Sequence, residues 1–206
     1  MLLGNILNEG AVNLKDLYIG RSQDIAKQFA FWKEGKSMNY EIIKMNEENA
    51  IEYARINTLS WVQSYKGIIN QDFLDKINTL EEIEKMKQNL INGINDGSER
   101  FILKYDGKYV GLFRIRKTKY EGYYSYGELG ALYLLDDAKN KGLGKILFQE
   151  AIKELKKIGY NKMIIGCLED NPSNDFYKHM GALFEKKNPI KIGEQDLFEN
   201  IYILEI

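Results

Sequence analysis

Leu132-Tyr133-Leu134-Leu135-Asp136-Asp137-Ala138-Lys139-Asn140-Lys141-Gly142-Leu143-Gly144-Lys145 passes from a strand through a glycine-bearing turn into a helix, and its reading decides the fold. Beyond the turn, Leu143, Ile146, Leu147, Ala151, Leu155 and Ile158 recur at the spacing of one apolar helical face, with Gly159 suited to the C-cap. The turn also carries the first chemical hint. Glycine lets a backbone approach a ligand closely, and the free N–H groups of a helix start bind anions such as a pyrophosphate. It is no dinucleotide fingerprint, because Leu147 occupies the third glycine position, and no Walker A loop, because the glycines lack the four-residue gap. Taken alone, the turn leaves a plain strand-to-helix connection and an anion site both open.

Working outward, Gly127 to Leu135 is the strand that feeds this turn, and Asn161 to Leu168 is an apolar strand that follows the helix. Phe101 to Tyr105 and Lys108 to Arg116 flank Asp106-Gly107, the signal for a type I′ hairpin. A tyrosine-rich loop with Tyr120, Tyr123, Tyr124 and Tyr126 precedes Gly127; its rings could line an amine pocket or form an ordinary hairpin loop. Ser173 to Met180 reads as a short helix ended by Gly181, and Ala182 to Lys187 with Leu197 to Ile206 as a closing pair of strands. On the N-terminal side, Tyr40 to Lys44 is a strand and Asn46 caps a helix with Ile51, Ala54, Thr58, Trp61, Val62 and Tyr65 along one face. Gln71 to Ile77 is a second helical piece. Thr79 and Glu82 form a capping box for a third helix with the stripe Ile83, Met86, Leu90 and Ile94. The expectation is an α/β fold with a mixed central sheet flanked by helices.

The chain has 206 residues, enough for one domain with an appendage. Residues 38–206 form that domain. Residues 1–37 are an extension holding one candidate helix, capped by Ser22, carrying Ile25, Ala26, Phe29 and Trp32, and closed by Gly35. It reads as a packing element, as an arm for a second subunit in a homodimer, or as sequence upstream of a true start at Met38. With 29 Lys and Arg against 30 Asp and Glu, the net charge of −1 disfavours nucleic acid as a partner. No stretch is apolar enough for a membrane span. The first residues lack a basic, then apolar, leader, which points to the cytoplasm. One cysteine, Cys167, and one histidine, His179, exclude an internal disulfide and a multi-histidine metal site. Cys167 reads as a small core residue and His179 as a surface one.

Two segments together resemble the GNAT acetyltransferase superfamily. Lys139-x-x-Gly142-x-Gly144 after a Leu-x-Leu strand is similar to that family's acyl-CoA loop, with Lys139 where Gln or Arg is usual. Asn171-Pro172-Ser173-Asn174-Asp175-Phe176-Tyr177-Lys178-His179-Met180-Gly181-Ala182 is similar to its Asn-x-x-x-x-Phe-Tyr-x-x-x-Gly-Phe pattern, the last aromatic displaced to Phe184. The resemblance implies direct acetyl transfer from acetyl-CoA to a primary amine, with no metal. It implies that main-chain groups of Leu132, Tyr133 and Leu134 meet the pantetheine arm. Lys139, Asn140, Lys141, Gly142, Leu143, Gly144 and Lys145 would hold the pyrophosphate, and Asn171 would bind the pantetheine. The strands Gly127 to Leu135 and Asn161 to Leu168 are expected to splay apart around the cofactor.

By the same resemblance Tyr177 is the general acid for the departing thiolate and a cofactor contact, and Glu128 the general base. Period two places Glu128 on the face of Gly130, Leu132 and Leu134. The segment Ser60 to Leu74 is similar to a branch that includes PaiA-type polyamine acetyltransferases, which implies Trp61, Tyr65 and Glu128 as contacts to a small-molecule amine such as a polyamine. A polyamine pocket should be acidic, and Asp72, Asp75, Glu121 and Glu128 are the candidates. The competing readings are acetylation of a protein lysine or N-terminus, and a regulator that binds acyl-CoA without turnover.

Overall fold

The computed structural model describes residues 38–206. The candidate helix between Ser22 and Gly35 and the boundary at residue 37 lie outside the described residues. The elements run β1 (Tyr40–Lys44), α1 (Ala50–Tyr65), α2 (Gln71–Ile77), α3 (Leu80–Asn92), β2 (Glu99–Tyr105), β3 (Lys108–Lys117), β4 (Gly127–Leu134), α4 (Leu143–Lys157), β5 (Lys162–Leu168), α5 (Ser173–His179), β6 (Leu183–Ile192) and β7 (Gln195–Glu205). They build one seven-stranded sheet in the order β1-β2-β3-β4-β5-β7-β6, antiparallel throughout except between β4 and β5. The expected mixed α/β fold is present. Among the described residues, no helix is long and apolar enough to cross a membrane.

Local chemistry explains most boundaries. Asp106 (φ +49°) and Gly107 (φ +77°) are both left-handed, as a type I′ turn between β2 and β3 requires. Thr79 Oγ1 accepts from Glu82 N at 3.3 Å and starts α3. The first long helix begins later than Asn46: the Asn46 and Asn49 side chains each accept the other's backbone N–H, at 3.1 and 2.8 Å, and close a turn ahead of Ala50. Its buried face carries Tyr53 and Ile56 beside Ala54 and Thr58, rotated from the expected stripe. The closing hairpin is longer than expected because β6 continues through Pro189, which an edge strand tolerates.

Two helical layers cover the sheet. On one face Met45, Tyr53, Ile56, Ile102 and Leu112 form a cluster joined by Leu90, Ile94, Ala131 and Tyr133, so α1 and α3 pack over β2, β3 and β4. On the other face α4 buries Leu143, Leu147, Phe148, Ala151 and Leu155. There Phe101 and Phe113 stack with centroids 4.6 Å apart.

Candidate active site

β4 and β5 pair through only three residues each, Gly127, Glu128 and Leu129 against Met163, Ile164 and Ile165. Farther on, β4 continues against β3 to Leu134 and β5 continues against β7 to Leu168, leaving an edge of each without a partner strand. The cause is a bulge. Arg114 pairs with Ala131 and Ile115 with Leu129, so Gly130 is an extra residue that bends β4 away from β5. The bulge also corrects the expected alternation. Glu128 pairs with Arg116 and Tyr133 with Leu112, which places Glu128 on the face of Ala131 and Tyr133 rather than that of Leu132 and Leu134.

The open edge of β4 leads to the start of α4. Gly142 is the N-cap with φ +79°, a left-handed conformation that suits glycine, and no side chain caps the helix. Ile146 N is the first amide to reach a helical carbonyl, that of Gly142. The amides of Leu143, Gly144 and Lys145 therefore point out of the helix end, where the helix dipole favours an anion. Asn140 is also left-handed (φ +60°). Around this end, Lys139 pairs with Asp136 at 2.7 Å, Lys141 Nζ donates to the Asp137 carbonyl at 2.6 Å, and Lys145 is exposed. The arrangement fits a pyrophosphate whose attached arm runs along an unpaired strand edge.

Tyr177 is buried among the rings of Phe148, Phe176 and Tyr202, at centroid distances of 6.3, 5.5 and 6.3 Å. Burial first, then the neighbouring Cys167 and Tyr133, push its pKa well above that of a free phenol, so the hydroxyl holds its proton. Asn171 Oδ1 accepts from Ser173 N at 2.8 Å, which turns the side-chain amide, a donor, toward Tyr65. Tyr65 Oη and Tyr133 Oη are hydrogen-bonded at 2.9 Å. Burial raises the pKa of Tyr65, with smaller effects from Tyr133, Tyr177, Cys167 and Asn171, so these groups gather at one place. Cys167 itself is buried, which lifts its thiol to about 12 and keeps it protonated and unreactive. His179 is exposed at the end of α5.

Next to this cluster, a cavity of about 400 Å³ lies between α1, α3 and the face of β2 to β4. Trp61 lines it; Tyr65 stands behind, edge-on to Trp61 at 5.1 Å. Glu128 does not line it. It is 3% exposed, with Oε1 accepting from Arg116 at 2.5 Å and Oε2 from Lys119 N at 3.0 Å. Oε1 would lie 3.3 Å from a side-chain carbon added at Gly130, which does line the cavity.

Asp72, Asp75 and Glu121 are exposed elsewhere, so the four candidate carboxylates do not converge. The tyrosine loop turns to the β5–β7 side, where Tyr120 Oη donates to Glu199 at 3.0 Å and Tyr123 Oη to Glu185 at 2.8 Å. Sequence reasoning missed Arg100, Arg114 and Met86 in the cavity wall. Arginines inside the apolar run Gly111-Leu112-Phe113-Arg114-Ile115-Arg116 were the available signal.

Comparisons with known proteins bear on the family and the fold. A family model described as the acetyltransferase (GNAT) family matches residues 60–182. The uncharacterized N-acetyltransferase YuaI of Bacillus subtilis (strain 168) is 30% identical over 134 residues, 64% of this chain and 73% of the relative. Among solved structures, PaiA N-acetyltransferase from Thermoplasma acidophilum in complex with coenzyme A superposes with a TM-score of 0.64 at 21% identity, over 82% of this chain and 100% of that one. Ribosomal-protein-alanine N-acetyltransferase from Brucella melitensis gives 0.63 at 20% identity, over 81% and 99%. At such identities these two likenesses speak for the fold.

Proposed function

Because the chain belongs to the acetyltransferase (GNAT) family and is thereby an acetyl-CoA-dependent N-acetyltransferase, we propose that its acceptor is the primary amine of a small molecule bound in the cavity between α1, α3 and the sheet. The observation that carries this reading is the continuity of three features. The uncapped start of α4 suits the pyrophosphate, the unpaired edge of β4 suits the pantetheine amides, and that edge ends beside both Tyr177 and the cavity. In this reading Leu132, Tyr133 and Leu134 pair with the cofactor arm, residues 139–145 hold its phosphates and Asn171 donates its side-chain amide to the pantetheine.

Bound acetyl-CoA supplies the activated acyl carbon: the amine lone pair forms the N–C bond as the C–S bond breaks, and the proton that nitrogen then sheds replaces the one that the phenol of Tyr177 gives to sulfur. An alkyl ammonium with a pKa near ~10.4 must first lose a proton to attack. Glu128, with lone pairs beyond its two hydrogen bonds, takes that first proton directly or by way of solvent. Tyr177, held protonated by burial, donates to the sulfur. Trp61 walls the acceptor side, with Tyr65 behind it. The cavity, about 400 Å³ and walled by α1, α3 and the sheet, has the size of a small-molecule site. We place the reaction in the cytoplasm, a compartment that suits a chain with a single cysteine.

The test is thiol release from acetyl-CoA with polyamines, aminoglycosides, amino acids and lysine peptides as acceptors. Turnover with a free small amine is expected. Turnover confined to lysine peptides would favour the protein-acceptor reading. Stabilisation by acetyl-CoA without turnover of any amine would favour the regulator.

A further inference from the structure

The cavity wall holds an imbalance of charge. Arg100 on β2 and Arg114 on β3 are direct cross-strand partners, and Arg116 lies two residues along on the same face. Like charges set opposite one another on a sheet destabilise it unless something neutralises them. Two of the three have a carboxylate. Arg100 is 7% exposed and binds Asp96 through both Nη atoms, at 3.2 and 2.5 Å. Arg116 binds Glu128. Elsewhere in the wall, Lys85 and Glu82 pair at 3.5 Å.

Arg114 lines the cavity and has no carboxylate partner among the described residues. Its Nη2 donates to the Gly130 carbonyl at 3.2 Å, and its Nε, like those of Arg100 and Arg116, is buried without an acceptor among the described residues. Burial above all, with Arg116 and Arg100 adding repulsion, pulls its pKa below the usual arginine range, against the opposite pull of Tyr53 and of Glu128, which lies near it without pairing to it. A guanidinium withdrawn from water without an anion is costly, and a planar fork of donors matches a carboxylate in two-point contact. The Gly130 carbonyl ties this fork to the bulge where β4 leaves β5, so an anion on Arg114 sits close to the edge that receives the acyl group. Tyr53, Trp61, Met86 and Leu90 provide apolar wall around it.

We propose that the acceptor is a small amino acid-like molecule whose anionic group, a carboxylate, docks on Arg114 while its amine faces the open edge of β4. The inference rests on the small-molecule reading above and narrows it. It runs against a polyamine, because the charge that is free in this cavity has the same sign as such a substrate.

The experiment compares initial rates of thiol release for the full set of protein amino acids, each against its decarboxylated amine, with aminoalkyl phosphonates, spermidine and a lysine peptide amide alongside. At least one amino acid is expected to exceed its decarboxylated amine in kcat/KM by roughly 10- to 100-fold, the range of hydrogen bonds to a charged group. Arg114→Gln should erase that preference mainly through KM, and Arg114→Lys should keep part of it. As a readout independent of turnover, the matching N-acetyl amino acid with CoA should raise the melting temperature of wild type and not of Arg114→Gln. A phosphonate preferred over the carboxylate would overturn the carboxylate assignment. Spermidine or a decarboxylated amine used as well as any amino acid, or a preference that survives Arg114→Gln, would overturn the anion site and leave the small-molecule reading standing. Acceptance of the peptide alone, or of no amine at all, would defeat both.

Discussion

Tyr177 and Glu128 stand in opposite environments, and this separates what each can contribute. The phenol is packed among rings and keeps its proton, whereas the carboxylate is buried against a guanidinium and a backbone amide. Tyr177→Phe preserves the ring contacts and deletes the proton. It should lower kcat by roughly 10² to 10⁴-fold, as for other general acids, with little change in the melting-temperature shift given by acetyl-CoA. Near wild-type turnover would hand protonation of the thiolate to solvent. Glu128→Gln is a different experiment because it also leaves Arg116 unpaired, at a cost of about 1–3 kcal/mol in stability. A base role predicts more than that loss: the deficit in kcat should be largest on the acid side of the pH profile, where fewer amines are already deprotonated. A stability loss with an unchanged profile shape would make Glu128 a structural partner of Arg116. The residue types were legible in the sequence, but the partner of Glu128 was not, since Arg116 reaches it only through the register of β3 on β4.

At the scale of elements, legibility followed how local the cause was. Tyr40–Lys44 and Gln71–Ile77 came out with the expected bounds, as did the left-handed pair Asp106 and Gly107, because turns and caps are written in adjacent residues. The bulge at Gly130 was not visible, because it exists only in relation to β3, and a glycine inside a strand pattern was its one trace. The rotated face of α1 has a similar origin: Tyr53 and Ile56 answer to β2 and β3 across the layer, not to helical spacing alone. The start of α4 was legible and carries its own prediction. A side chain at Gly142 would meet no atom within 4 Å, so the objection to one is conformational, a β-branched residue being strained at φ +79°. At Gly144 the added atom would stand in ordinary contact, 3.6 Å from Leu134 and Phe176, so the methyls of a valine extend beside those side chains over the helix start. Gly142→Val and Gly144→Val should each remove the rise in melting temperature given by acetyl-CoA, by re-aiming or covering the free amides of the first turn. An undiminished rise in both would move the cofactor away from α4.

Across the whole molecule, the features invoked for function lie within a sheet that is continuous without residues 1–37. β1 closes one side against β2 over five residue pairs, β6 closes the other against β7, and the family match spans residues 60–182. The site depends on gaps internal to that sheet: the departure of β4 from β5, the uncapped helix that follows it, and an arginine with no carboxylate paired to it among the described residues. All three are built from residues 108–168. Deleting residues 1–37 should therefore leave the stabilisation by acetyl-CoA and the ranking of acceptor amines as they are in the full chain, measured by melting curves and thiol release on both proteins. A shortened chain that keeps its circular dichroism spectrum and loses acetyl-CoA binding would show that the extension completes the cofactor site. Retained binding with a changed ranking of amines would show instead that it reaches the acceptor cavity. A fall in solubility alone touches neither conclusion, because an arm that covers apolar surface or joins two subunits alters association without altering the site.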